Sequence, residues 1–204
     1  MSIGLAILAG GSSSRMGQPK QLLPFKNKKL IDHVIESATG SLCQPVVLVL
    51  GAHSERILQE VAVPEQVHTV NNQEWQEGLA SSLRAGIAAL QKLDDRLEGV
   101  IIALCDQPFV SSAIFDQLVR EFQRSGKLIV TSQYSGTFGP PALFHRSLFD
   151  QLLEISGDKG ARRILEKYAA DLAAVEFARG AIDLDTLDDY LALNASEQSE
   201  QTKQ

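Results

Sequence analysis

Residues 9–20, AGGSSSRMGQPK, gather three glycines (Gly10, Gly11, Gly17), three hydroxyls (Ser12, Ser13, Ser14) and two cations (Arg15, Lys20) in one short span. Glycine lets backbone N–H groups come close to a phosphate, because no Cβ intervenes and positive φ is open to it. Arg15 can grip phosphate oxygens with its planar fork, and Lys20 supplies a compact point charge. The chemistry that fits is phosphate binding. A Walker A loop is excluded, since five residues separate Gly11 from Gly17 and Gln18-Pro19-Lys20 stands where Gly-Lys-Ser/Thr is needed. The spacing is not G-x-G-x-x-G either, which disfavours a dinucleotide fold.

A second chemical group lies at the end of VIIALCD, where Asp106 leaves an apolar run and Gln107-Pro108 turn the chain. A lone carboxylate there fits a helix-terminus charge or a turn residue. It also fits Mg²⁺, which is usually held by one or two carboxylates together with substrate phosphates. Near the end of the chain, Asp183 and Asp185 alternate on an extended segment and so face one side. The four histidines (His33, His53, His68, His145) show no zinc spacing, and no Ser-His-Asp elbow is present. They read as structural or surface residues.

The elements that must position these groups alternate between two periodicities. Ile3–Leu8, Val46–Leu50 and Val100–Leu104 are unbroken apolar runs, as in strands covered on both faces. Val67–Val70 and Leu128–Thr131 are weaker strand candidates. Helical spacing links Leu79, Leu83, Ile87 and Leu90, then Ile114, Phe115, Leu118, Val119 and Phe122 after an N-cap at Ser111 or Ser112. Leu148–Leu153 and Ala161–Tyr168 mark two more helices, and a last one starts near Thr186. Alternation of this kind predicts an α/β fold with a mostly parallel sheet. In such sheets ligands bind beyond the carboxyl ends of the strands. The glycine loop and Asp106 both fall there.

A chain of 204 residues with 44% hydrophobic and 22% charged residues suits one domain with a real core. Residues 1–193 form the expected domain, and the polar stretch Asn194–Gln204 is expected to be a disordered tail. The net charge of −6 argues against broad nucleic-acid binding. No segment approaches the roughly 20 apolar residues of a membrane span. Ile3–Leu8 lacks a basic leader and runs straight into glycines, so no secretory signal is read. Cys43 and Cys105 show no metal-like spacing and read as buried, reduced thiols, which points to the cytoplasm.

LAGGSSSRMGQPKQLLPF resembles the signature loop of the nucleotidyltransferases of the molybdenum cofactor and of sugar-phosphate activation. The resemblance implies a three-layer, Rossmann-like α/β fold in which this loop wraps a triphosphate. Arg15 and Lys20 would then hold the phosphates, while Leu8, Ala9 and the Gly10–Gly11 backbone approach the nucleotide. LCDQPFVS is similar to the molybdopterin cytidylyltransferase branch, in which the Asp is a metal ligand, and AIDLDTLDDY aligns Asp185 with the second metal contact. NNQEWQEGLASSLRAGIAAL resembles the segment bordering base and ribose, which carries Gly78, Ser81 and Ser82 to the nucleotide, with Trp75 read as packing or a base platform. GPPALFHRSLFDQLLEISGDKGARRIL resembles the stretch that sets this branch apart from the sugar-phosphate enzymes. Its Gly157-Asp158-Lys159-Gly160 is a turn signal ahead of a helix, so Lys159 and Arg162 are expected either at the acceptor's phosphate or as solvated helix residues.

Over Ile3 to about Leu193, the resemblance implies transfer of CMP from CTP to the phosphate of molybdopterin, with Mg²⁺ at Asp106 and Asp185 and release of pyrophosphate. The product would pass to a molybdenum hydroxylase as client protein. Gly10 departs from the cytidylyl branch, which more often has Ala there; LAGG is closer to the guanylyltransferase pattern, so GTP stays open. A sugar-1-phosphate acceptor, and a chaperone that binds the cofactor without chemistry, are the remaining readings.

Overall fold

The computed structural model describes residues 2–184 and 186–201. Asp185, the expected second metal ligand, lies outside the described residues. Three apolar runs become the centre of a seven-stranded sheet: β1 (Ile3–Ala9), β4 (Val46–Leu50) and β6 (Gly99–Leu104). All of β1 and β4 is buried, as unbroken apolar runs require when both faces are covered. β1 pairs in parallel with β4 on one side and β6 on the other. β5 (Val67–Asn71) extends the parallel part as an edge strand with a mostly exposed face. Beyond β6 come β8 (Thr137–His145), β7 (Ile129–Tyr134) and β9 (Ala173–Glu176). The full order is β5-β4-β1-β6-β8-β7-β9, with β8 antiparallel to both neighbours and β9 parallel to β7.

Side chains alternate across the sheet and feed two separate cores. Ile3, Leu5, Ile7 and Ala9 of β1 pack with α1 (Leu30–Thr39), α2 (Ser54–Glu60) and α4 (Ser112–Ser125). Ala6 and Leu8 face the other way, toward α3 (Leu79–Leu93), α5 (Phe149–Leu153) and α6 (Arg162–Lys167). The result is the expected three-layer, mostly parallel α/β fold. Ser111 occupies the N-cap position of α4, but its side chain makes no capping hydrogen bond.

α1, α2 and β9 are not among the elements expected from sequence, and β8 departs from that expectation most clearly. β8 is not among the expected strands, because its Gly139-Pro140-Pro141 segment lacks the donors a central strand needs. The register shifts opposite it, between Thr131 and Ser132, and two β7 hydroxyls there bond to β8 carbonyls. Thr131 Oγ1 donates to Gly139 O at 2.9 Å, and Ser132 Oγ donates to Pro141 O at 2.8 Å. At the other end, α7 spans Leu187–Gln201. Its start is fixed by a reciprocal cap, in which Asp189 N–H donates to Thr186 Oγ1 at 3.2 Å and Thr186 N–H to Asp189 Oδ2 at 2.8 Å. α7 lies over a short hairpin of β2 (Pro24–Phe25) and β3 (Lys28–Lys29), where the Tyr190 hydroxyl donates to Pro24 O at 2.7 Å.

Phe115 is fully buried between α4 and the sheet. Its replacement by Ala is expected to cost about 3–5 kcal/mol of unfolding free energy. The check is a lower urea midpoint at an unchanged denaturant slope.

Candidate active site

Because β1 and β6 are parallel neighbours, the segments leaving their carboxyl ends meet; the Cys105 N–H donates to Leu8 O at 3.2 Å. The loop from β1 runs out, turns tightly at Ser13–Met16, where Met16 N–H donates to Ser13 O at 2.9 Å, and returns to a 3-10 turn at Lys20–Leu22. That return sets Lys20 Nζ 2.6 Å from Asp106 Oδ2, with both side chains largely buried. The other carboxylate oxygen, Asp106 Oδ1, is buried and has no hydrogen-bond partner among the described residues. A buried carboxylate oxygen left open beside a cation suits a hard metal ion. Among the described residues no group of three or more His, Cys, Asp or Glu could form a metal cage.

These residues form one end of a cleft of about 350 Å³, whose walls include Leu8, Ala9, Gly10, Gly11, Gly78 and Ser82. Ser82 and Ser81 are both bound by Asn72 Nδ2, at 3.1 and 2.8 Å, yet only Ser82 faces the cleft. Ser81 is not among the cleft-lining residues; its hydroxyl donates to Gly78 O at 2.9 Å and braces the first turn of α3. Arg15 is brought to the loop's exposed outer turn and not into the cleft lining. Burial of the adjacent Met16 against Leu23, Phe25 and Leu184 leaves Arg15 on the solvent side of that turn.

A second hollow, of about 620 Å³, adjoins the first and shares Leu8, Leu79, Leu104 and Asp158 with it. Its floor is apolar, with Ile102, Phe144 and Leu165, and its rim carries Lys159, Arg162, Tyr134 and Asp183. Lys159 and Arg162 both line the second hollow, and Arg162 pairs with Glu166 at 3.1 Å. Burial raises the Tyr134 phenol above its ordinary pKa, and the negative charges of Asp183 and Asp106 push the same way. The segment carrying Asp183 is tied to the site through Leu184 N–H, which donates to Asp106 O at 3.2 Å.

Between cleft and hollow, the loop before α6 docks on the start of α3. Ala80 N–H donates to Gly157 O at 3.1 Å, and Arg84 Nη1 donates to Ile155 O at 2.9 Å. Gly78 has φ +96° and ψ −169°, a region open essentially to glycine, and a Cβ there would lie 2.0 Å from Asp158 Oδ1. Three positioning side chains escape the sequence reading: Gln21, His53 and Asn72. Gln21 is 1% exposed and bonds to Ala9 O and Gly11 O; Asn72 is 5% exposed and organises the turn before α3. His53 Nε2 lies 2.9 Å from Ser12 O. Their only signal in the sequence is a polar residue placed beside apolar ones that go inside, as in KQLLPF.

Residues 5–172 fit the MobA-like NTP transferase domain, and the chain belongs to that nucleotidyltransferase family. It is 30% identical over 198 residues to nicotine blue oxidoreductase of Paenarthrobacter nicotinovorans, covering 92% of this chain and 94% of that one. It is 25% identical over 193 residues to the molybdenum cofactor cytidylyltransferase of Escherichia coli, covering 93% and 94%. Among solved structures, Rv0371c of Mycobacterium tuberculosis superposes with a TM-score of 0.82 at 27% identity, over 95% of this chain and 97% of that one. The same protein has also been solved in complex with manganese.

Two outcomes follow from this geometry. Gly78→Ala should cost about 1–3 kcal/mol, the usual toll of holding a side chain in a strained region. Adding Asp158→Ala should recover only the collision part, which a thermal-melt cycle of the two variants resolves. Burial pushes the Cys43 thiol up to about 12 and raises Cys105 as well. Both therefore stay protonated at pH 8, and a thiol reagent should label neither until urea unfolds the chain. Prompt labelling of the folded protein would contradict this.

Proposed function

We propose that this protein transfers CMP from CTP to the phosphate of a molybdopterin-type acceptor and releases pyrophosphate, with Mg²⁺ as the metal. The observation that carries the reading is the Lys20–Asp106 pair at 2.6 Å, at the foot of a cleft walled by the glycine loop, with Asp106 Oδ1 open. In this reaction an oxygen of the acceptor phosphate attacks the α-phosphorus in line, and the bond to the β-phosphate oxygen breaks. The attacking phosphate is already ionised at neutral pH, so no general base is required. Lys20 meets the charge that grows on the leaving pyrophosphate, joined by Arg15 from the loop's outer turn. Positioning and electrostatics supply most of the catalysis in such transfers. Mg²⁺, held by Asp106 and Asp185, would supply Lewis-acid polarisation of the phosphate oxygens. Lys159 and Arg162 receive the acceptor phosphate, and the apolar floor of the second hollow takes the acceptor's planar body. The same reading puts the protein in the cytoplasm, handing its product to a molybdenum hydroxylase.

A GTP-using version is the nearest rival, and Gly10 is the residue that favours it. The relative named as an oxidoreductase favours a second class, a redox reaction on a substrate seated in the apolar hollow.

Pyrophosphate release is to be measured with Mg²⁺ and each of CTP, GTP, ATP and UTP, with and without molybdenum-loaded molybdopterin. Acceptor-dependent release with CTP is expected. Lys20→Ala and Asp106→Ala should each lower turnover on the order of 10²-fold or more while the fold is kept. Near-normal turnover in either variant would sink the assignment. A preference for GTP would replace CTP by GTP, and no release alongside oxidation of a reduced nicotinamide dinucleotide would favour the redox reaction.

A further inference from the structure

Every carbonyl of the loop from Ala9 to Ser12 has a partner inside the protein. Gln21 Nε2 donates to Ala9 O at 2.8 Å and to Gly11 O at 3.1 Å. Ala52 N–H donates to Gly10 O at 3.2 Å. His53 Nε2 reaches Ser12 O at 2.9 Å, and since a carbonyl can only accept, that nitrogen carries the proton. The orientation of the Gln21 amide is fixed in the same way, because turning it over would set its oxygen against two carbonyl oxygens.

In a trans peptide, the C=O of one residue and the N–H of the next point in opposite directions. Tying down the carbonyls of residues 9–12 therefore turns the N–H groups of Gly10, Gly11, Ser12 and Ser13 away from those partners. None of these four N–H groups meets an acceptor among the described residues. Gly10, Gly11 and Ser12 border the cleft beside Lys20. A backbone run with its carbonyls withdrawn and its N–H groups presented is an anion-binding concavity.

We propose that Gln21 and His53 are positioning residues that hold this loop in its anion-binding form, so that an oligophosphate meets a preformed row of N–H groups. The proposal rests on the phosphate-loop reading above, not on the identity of nucleotide or acceptor. Without Gln21, the Ala9 and Gly11 carbonyls are released to turn toward the cleft, where they would face phosphate oxygens. Without His53, the Ser12 carbonyl is released likewise.

The experiment is titration of the full chain with inorganic tripolyphosphate in the absence of metal, by calorimetry. Wild-type protein should bind it. Gln21→Leu and His53→Leu should each weaken binding roughly 3- to 10-fold, the worth of one or two hydrogen bonds. His53→Gln should restore most of the loss, since its amide donates from nearly the place of Nε2. In turnover, the same two Leu variants should raise the nucleotide KM more than they lower kcat. Unchanged affinity in both folded Leu variants, equal loss in His53→Leu and His53→Gln, or a wild-type chain that ignores millimolar tripolyphosphate would each overturn the proposal. Should Gln21→Leu fail to fold, the two His53 variants decide alone. A chain that binds tripolyphosphate with these sensitivities and releases no pyrophosphate from any nucleotide would remove the transferase reading and leave this one standing.

Discussion

The contact between Lys20 and Asp106 is the point on which the rest of the structure turns. It joins the loop after β1 to the residue after β6, and it exists because those strands are parallel neighbours with their carboxyl ends together. Both groups are largely shielded from water, where a charge without its partner costs several kcal/mol. Each charge thus has the other as its partner. Yet the carboxylate is only half used, with Oδ1 open. In the proposed reaction the exchange is balanced: the ammonium turns to a phosphate, the carboxylate to a metal ion, and neither is left buried and uncompensated.

The loop between them has to be stiff for that exchange to work. Its glycines make it permissive, which by itself predicts mobility and not a binding site. Order comes from outside the loop, through the buried amide of Gln21 beneath it, the first residues after β4 beside it, and Met16 pinned into the apolar cluster that also holds Leu184. Leu184 N–H bonds to Asp106 O, so the chain before α7 is linked to both the loop and the acid. A small number of side chains thereby couple three segments far apart in sequence.

Much of this is legible in the amino-acid sequence. The strands and helices that carry the site are marked by unbroken apolar runs or by helical spacing, and these are strong signals because burial enforces them residue by residue. The cleft residues after β1 and β6 follow from strand ends alone. What escapes has a different physics. β8 hides behind two prolines, and the hydroxyls on β7 that bond across to its Gly139 and Pro141 carbonyls are visible only once the strands are paired. Gln21, His53 and Asn72 act through hydrogen bonds to backbone atoms, and such bonds leave no periodicity.

The family is readable while the nucleotide is not, and the reason is structural. The phosphate end of the cleft is dictated by where two strands stop, so one loop and one acid are enough to announce it. The end of the cleft beside Gly10 and Ser82 is built differently. A Cβ at Gly10 would lie 2.8 Å from Ser82 Oγ, and Ser82 is itself held by Asn72, whose own place is set by its N–H bond to Leu50 O at 2.8 Å. A side chain at position 10 would therefore have to displace Ser82, and through it the turn that Asn72 organises. The width of the cleft at that end is the property of three positions together, after β1, on α3 and after β5. Gly10 carries weight about the base only in company with Ser82 and Asn72.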